Sequence, residues 1–440
     1  MQPVRPQPDS RWFRPALALV VIGALALRVA YVFAYRRHFD PGGDAYFYHA
    51  GANLLAEGKG FISPFYVRLK RAAADHPPLY IIFLAIPSVL GMKSVLAHLL
   101  WSCLLGSATV ALVGLLGHAV GGARLGLIAA IIAATYPNLW APDGMLQAET
   151  LSMFAAAAAL LFAYQYWRRP GWRHLVLVGI VCGLGALARS ELILLVPLLV
   201  VPLACATRDR SWRVRLRWLG ASLLAVAVVL APWTIYNATR FAHPVLLSTQ
   251  FAQTLATANC HSTYYGPWQG YWDQQCLDAI EKKDHLTLAD DESQEDVVYQ
   301  REAIAYVRGH LSRLPAVEIV RLLRIVGLYK TSLYVREDAY IEGRSPVWIS
   351  WAALYSFWAV ALLSIAGAVV LRRRKIPVYP LLASVVVVLV TVMVTYASTR
   401  FRTTAEPALV VLAAVAMDAA INTTLARLRP AQSARLGQPV

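Results

Sequence analysis

Four stretches of this sequence hold residue types that can move a proton or hold an anion. Gly42-Gly43-Asp44-Ala45-Tyr46-Phe47-Tyr48 follows the first apolar block, and Ala74-Asp75-His76-Pro77-Pro78-Leu79-Tyr80 comes after it. Leu146-Gln147-Ala148-Glu149-Thr150-Leu151 adds a second carboxylate, and Tyr396-Ala397-Ser398-Thr399-Arg400-Phe401-Arg402 with Glu406-Pro407 brings two arginines late in the chain. A carboxylate such as Asp44 can accept a proton from a hydroxyl. It can equally cap the aromatic helix that begins there, because Asp favours helix N-termini. Glu149 has the same two readings, one facing Asp44 across a cavity and one, with Asp143, completing the dipole of a helix start. Arg400 and Arg402 offer planar forks that match phosphate oxygens, or they anchor lipid headgroups. Glu406 either fixes those arginines or caps the last helix, whereas Arg189 and Glu191 read as a local ion pair.

The elements that must position these residues are membrane helices. Of 440 residues, 58% are hydrophobic and 15% charged, and the mean hydropathy is +0.51. The apolar residues lie in blocks such as 216–236, 347–371 and 377–396, about the twenty residues a helix needs to cross a bilayer. A soluble enzyme is excluded, and so is a β-barrel, whose strands would alternate with period two. The net charge of +16 then concerns sidedness rather than nucleic acid, since Lys and Arg collect on cytoplasmic flanks.

Basic clusters at Arg5, Arg11 and Arg14, at Arg168, Arg169 and Arg173, at 208–217, at 372–375, and at Arg427, Arg429 and Arg435 are each placed inside. With these constraints the spans fall near 15–35, 94–120, 124–140, 148–167, 172–188, 190–206, 213–236, 347–371, 376–396 and 404–425. That makes about ten, both termini cytoplasmic and the first helix uncleaved. The apolar run 79–90 is too short for a comfortable crossing and is assigned a juxtamembrane or re-entrant position. The acidic residues, which played no part in this assignment, fall outside except for Asp9, Asp209 and Asp418. The fold class is therefore an all-α polytopic membrane protein. Its organisation is an N-terminal membrane module (1–236) carrying a first outer loop (36–93), an extracytoplasmic subdomain (237–346), and C-terminal membrane helices (347–440).

Within the subdomain, 297–329 reads as a helix that either lies on the bilayer or packs against its neighbours. Cys260 and Cys276 share this extracytoplasmic segment, where a disulfide can persist. Tyr264, Tyr265, Trp268, Tyr271 and Trp272 are candidates for a sugar platform, or for ordinary interfacial aromatics. No Cys or His spacing matches a structural zinc site.

The four stretches, in this order and on one side of the membrane, resemble the GT-C superfamily of lipid-sugar-dependent glycosyltransferases. The resemblance is to family 39, which contains the protein O-mannosyltransferases and aminoarabinose transferases. Asp44 stands where those enzymes place an acidic residue in the first outer loop, and His76-Pro77-Pro78-Leu79-Tyr80 is similar to their Lys/His-Pro-Pro-Leu-Tyr element. Glu149 and the late Arg400/Arg402/Glu406 set match the other two. The chain departs from the protein mannosyltransferases at Asp44-Ala45, where they have an Asp-Glu pair, and from the aminoarabinose transferases at His76, where they resemble a lysine site.

The resemblance implies an inverting transferase with a GT-C-like helical bundle, a polyprenyl-phosphate sugar as donor, and a cell-envelope glycan, lipid or protein as acceptor. On this reading Asp44 is the general base and Glu149 orients the acceptor or shares a cation with it, so a divalent ion is compatible with the site but not required. Tyr46, Tyr48, His76, Lys70, Arg400, Arg402 and Glu406 contact substrate, with Arg71 in reserve. The site is extracytoplasmic. Arg outnumbers Lys by 34 to 7, a composition of GC-rich bacteria that points to a plasma membrane. The rival reading is a polytopic transporter or lipid flippase, which would carry repeated halves and ionisable residues at mid-membrane.

Overall fold

The computed structural model describes residues 11–207 and 210–433, with side chains as far as 425. The sequence expectations on Arg5, Asp9, Arg208, Asp209 and Arg435, and on the side chains of Arg427 and Arg429, lie outside the described residues. Helices account for the regular structure. The described residues contain no strand beyond one bridge between Ile62 and Ala72.

Helix α1 (Phe13–Tyr31) continues through a π turn at Val32–Arg36. Helices α2 (Gly43–Ala56) and α3 (Leu79–Val89) then pack on each other. The eleven residues of α3 rise about 16 Å, roughly half the hydrocarbon thickness. Helix α4 (Val95–Gly121) starts at Ser94, whose hydroxyl accepts from Ala97 N, and it lies against α5 (Ala123–Thr135).

The span expected at 124–140 is not straight. Pro137 lacks an N–H, and the residue before a proline avoids the helical region; Tyr136 is extended, with ψ 116°. The chain turns through 71° into α6 (Pro137–Trp140) and a 3₁₀ turn at Ala141–Gly144. Helices α7 (Glu149–Arg168) and α8 (Trp172–Ala188) follow.

The next expected span, 190–206, is also interrupted. Pro197 and Pro202 divide it into a 3₁₀ turn at Ser190–Leu194, a π turn at Val196–Val200 and α9 (Val201–Ala206). Helix α10 (Trp212–Ala238) crosses unbroken despite Pro232.

Six helices build the segment that follows: α11 (Gln250–Ala258), α12 (His261–Tyr264), α13 (Gln274–Lys283), α14 (Glu292–Gly309), α15 (Leu314–Ile325) and α16 (Thr331–Tyr340). The helix expected over 297–329 is thus two pieces, divided at His310–Arg313. In α15, Arg321 and Arg324 are buried and paired within the protein while Ile319 and Leu323 are exposed, so the helix packs on one face. Cys260 and Cys276 are joined by a disulfide with a Cα–Cα distance of 6.1 Å. The chain closes with α17 (Val347–Arg373), α18 (Tyr379–Val394), the short α19 (Thr399–Arg402) and α20 (Glu406–Ser433).

Among the described residues, five helices are long and apolar enough to cross a membrane, or six if the bent α5–α6 pair is one span; α8 and α18 are apolar but shorter. The core runs along α4, α5, α7, α17 and α20. Small residues let these helices approach. A Cβ on Gly367 would lie 1.8 Å from the Leu412 carbonyl oxygen, and one on Gly106 would lie 1.9 Å from Asp143 Oδ2. At one end of the bundle Asp418 accepts from Arg124 Nε at 2.7 Å and has Arg374 at 3.6 Å. The stretches with chemical potential gather at the other.

Candidate active site

A 3₁₀ turn, two helix starts and a short helix bring the key charges together. Gly42 is extended and Gly43 has φ +51°, so the chain turns sharply into α2 and sets Asp44 in its first turn. No side chain caps α2. The Asp44 carboxylate instead points to Arg400, whose Nη1 donates to Oδ2 at 2.7 Å. Glu149 opens α7, again without a capping bond, and its Oε1 accepts from Arg400 Nε at 2.5 Å and from Arg189 Nη1 at 2.5 Å. Arg400 is placed by α19, which Ser398 starts by accepting from the Arg400 backbone N–H. One planar guanidinium therefore bridges two carboxylates that lie 105 positions apart in the sequence, a geometry that lysine cannot reproduce.

His76 completes the cluster. Its ring is buried, stacks on Tyr48 at 4.7 Å and meets Phe47 edge-on at 5.0 Å. Gln250 Oε1 lies 2.8 Å from Nδ1, and Nε2 is 3.4 Å from both Asp44 Oδ1 and Asp75 Oδ2. With Nδ1–H donated to Gln250, Nε2 is directed between the two carboxylates at ion-pair range.

Burial opposes the charges at this site, and the partners decide which survive. For Asp44, burial acts upward, but the Arg400 guanidinium and then His76 hold the carboxyl well below the usual range. Burial disfavours the imidazolium of His76, yet Asp75 and Asp44 outweigh it and raise its pKa. Burial raises Asp75, with the field of Asp44 adding to it against the attraction of His76. Arg400 is held charged, since Glu149, Asp44 and Glu342 together overcome its burial. The partners thus favour the charged forms of Asp44, His76 and Arg400 while burial works against that of Asp75, and Glu149 Oε2 has no hydrogen bond among the described residues.

Other residues singled out in the sequence lie elsewhere. Arg402 is buried: Nε donates to Glu406 Oε1 at 2.7 Å, Nη2 to Asn138 Oδ1 at 2.9 Å, and the guanidinium sits 3.7 Å over the Phe357 ring. Glu406 also accepts from Tyr136 Oη at 2.8 Å, so this pair fastens α20 to the bend after α5 and does not face Asp44. Arg402 directs its guanidinium to Glu406, Ile325, Tyr334 and Asn138, whereas Arg400 directs Nε and Nη1 to Glu149 and Asp44. Lys70 is exposed in a left-handed turn, φ 48°, and Arg71 pairs with Glu295. Tyr46 is part-exposed beside Phe65, while Tyr48 is buried under His76.

The aromatic stretch is divided, with Tyr265 exposed, Trp268 and Trp272 half-buried, and two rings packed inside. Tyr264 is buried and donates to Asn259, and Tyr271 is buried and donates to Glu342. Asp143 is tied to Arg28 at 2.7 Å and Thr150 at 2.9 Å.

Three participants are not apparent from sequence. Arg189 does pair with Glu191 at 2.5 Å, as its spacing suggests, but it reaches Glu149 as well. Gln250 and Glu342, which accepts from Ser398 Oγ at 2.8 Å, come from the segment after α10 and carry no motif. Among the described residues no three or more His, Cys, Asp or Glu side chains are grouped as a metal site; Asp44 and Glu149 meet across a guanidinium.

Residues 75–236, which hold His76, Glu149 and Arg189, match the family described as dolichyl-phosphate-mannose-protein mannosyltransferase. An archaeal oligosaccharyltransferase, AglB from Archaeoglobus fulgidus in complex with an inhibitory peptide and a dolichol-phosphate, superposes with TM-score 0.57 at 16% identity, over 98% of this chain and 53% of that one. The fold is that of the GT-C glycosyltransferases. The same oligosaccharyltransferase with zinc and sulfate gives TM-score 0.56 at 15% identity, over 96% and 51% of the two chains. ArnT from Cupriavidus metallidurans bound to undecaprenyl phosphate aligns with TM-score 0.44 at 15% identity, over 93% and 78%. This chain thus spans about half the length of the archaeal enzyme. No curated protein matches the sequence.

Proposed function

We propose that this GT-C chain is an inverting glycosyltransferase that moves one sugar from a polyprenyl-phosphate-linked donor to an acceptor on the outer face of a bacterial plasma membrane. The observation that carries the reading is the Arg400 guanidinium held between Asp44 and Glu149, with His76 Nε2 beside Asp44. The site draws on all three segments of the chain: Asp44 and Glu149 from 1–236, Gln250 from 237–346 and Arg400 from 347–440.

A phosphate entering this site competes with Asp44 for Arg400, and His76 adds a second positive charge for it. As Arg400 turns to the phosphate, Asp44 loses the partner that keeps its pKa low and becomes the stronger base. The acceptor oxygen then attacks the anomeric carbon from the face opposite the phosphate, its proton passes to Asp44, and the bond to phosphate breaks with its electrons on the leaving oxygen. Configuration inverts. Arg400 and His76 stabilise the departing phosphate, a contribution of about 3–4 kcal/mol by analogy with an oxyanion donor. Glu149, fixed by Arg189, keeps Arg400 in place and offers Oε2 to an acceptor hydroxyl. The acceptor is a cell-envelope glycan, lipid or protein.

Mass spectrometry of the protein in lipid, incubated with polyprenyl-phosphate mannose and arabinose donors and envelope extract, tests this. Wild type is expected to consume one donor and transfer its sugar, and Asp44→Asn to lose transfer while still binding the lipid phosphate. Equal turnover by Asp44→Asn, or no donor consumed by folded wild type, would defeat the proposal.

A further inference from the structure

Next to the Arg400 cluster, between the first outer loop and helices α13 and α14, lies a cavity of about 540 Å³. That is within the range of small-ligand sites. It shares a wall with the cluster, because Asp75 and Phe47 line it and both also contact His76.

The charges of the lining are unbalanced. Among the described residues, Asp75, Glu281, Glu292 and Glu295 line the cavity against one lining cation, Arg71, which is already committed to Glu295 and to the Asp290 carbonyl. Glu292 is 8% exposed and accepts from Ala74 N at 2.7 Å and Thr249 Oγ1 at 3.2 Å, neither of them charged. Asp75 has His76 Nε2 at 3.4 Å from Oδ2, while Oδ1 is buried with no hydrogen bond among the described residues. Burial, and after it the field of Asp75, pushes the Glu292 carboxyl up to about 8 against the pull of Arg71. An anionic acceptor would meet repulsion here.

The rest of the lining suits a sugar. Phe65 and Tyr66 at the edge are 54% and 37% exposed, an apolar surface on which Arg71 covers part of the Tyr66 ring at 5.5 Å, and the amides of Gln253 and Gln274 add both donors and acceptors.

From this combination we infer that the cavity is the acceptor subsite and takes a glycan bearing free amino groups. The word acceptor rests on the transferase reading above; the recognition of a cationic sugar rests on the cavity alone. The ammonium groups sit among Asp75, Glu281 and Glu292, a ring lies against Phe65 and Tyr66, and a hydroxyl is presented past Asp75 toward Asp44.

Binding can be read without any donor, by calorimetry on the full chain in lipid nanodiscs. The probes are the chitosan tetrasaccharide, its fully N-acetylated counterpart and tetralysine. The free amine is expected to bind saturably and the N-acetylated sugar at least about tenfold more weakly, the loss expected for charge-assisted hydrogen bonds. Glu281→Gln keeps an acceptor for Tyr299, which donates to Glu281 at 2.9 Å, and should weaken the amine sugar by about tenfold. Phe65→Ala should weaken the sugar and leave tetralysine unchanged.

Equal binding of the two sugars, or an unaltered affinity in a folded Glu281→Gln protein, overturns the charge recognition. Tetralysine binding as tightly as the sugar, with no effect of Phe65→Ala on either, assigns the cavity to a cationic peptide and overturns the glycan. Loss of sugar binding with donor consumption intact overturns this inference alone, whereas binding without any transfer overturns only the transferase.

Discussion

Replacing Arg400 by lysine keeps the positive charge and removes the fork. In the wild type, Nη1 holds Asp44 at 2.7 Å and Nε holds Glu149 at 2.5 Å, and the arginine side chain is only 16% exposed. An ammonium is a single point, so it can serve one carboxylate and leaves the other, or the incoming phosphate, short of one charge-assisted bond. Such a bond contributes about 1.5–3 kcal/mol, which is about 10–150-fold in kcat/KM for a polyprenyl-phosphate sugar. The pH profile supplies an independent readout. Arg400 lowers the Asp44 carboxyl, so in wild type the ionised form, with the stability it contributes, is complete above the ordinary Asp value and is lost only as pH falls through the depressed one. Weakening that contact raises the carboxyl, and the acid limb of kcat/KM should move up toward about pH 4 or beyond. Both effects should appear together in steady-state assays across pH, with folding checked by thermal melts. A lysine variant with wild-type kcat/KM and an unmoved acid limb would refute the bridging role.

Arg402→Met should act on the fold instead: breaking a buried pair costs about 3–5 kcal/mol, so melts should fall while the folded fraction retains its affinity for the lipid phosphate. Gly106→Ala puts a Cβ 1.9 Å from Asp143 Oδ2 and should cost about 1–3 kcal/mol by overpacking, read as a lower melting temperature. Cys260→Ser opens a loop of sequence separation 16, worth about 3 kcal/mol in the chain-entropy view. Hydrogen exchange should rise across 260–276, and unchanged protection there would argue against a stabilising role for the bridge.

Much of the bundle is legible in the sequence because membrane helices depend on length and hydropathy, which are local. The straight helices α4, α10 and α17 follow their apolar blocks closely. What local pattern cannot convey is direction after a break: Pro137 signals a stop, but the 71° turn depends on Asp143 finding Arg28 and Asn138 finding Arg402. The site shows the same division. Asp44, His76, Glu149 and Arg400 stand out by type and order, yet Arg400 and Arg402 are indistinguishable in sequence. Two positions apart on a helix they point to different sides, and only the packing of α20 against α5 reveals which faces the carboxylates. Gln250 and the acidic cavity arise from tertiary juxtaposition of segments with no pattern of their own.

Asn138 acquires its long-range partners late in synthesis. Its side chain accepts from Arg402 Nη2 at 2.9 Å and Arg344 Nη1 at 2.8 Å, and donates to the Ala353 carbonyl at 2.8 Å. Those partners are made long after it: 264 residues separate Asn138 from Arg402, roughly 10–50 s of synthesis at typical elongation rates. Through that interval the amide lacks its partners from Arg344, Ala353 and Arg402. The final helices therefore act as a latch on a half-built bundle, and a nascent chain stalled before Arg344 should expose the 137–144 turn to crosslinking that the finished protein resists.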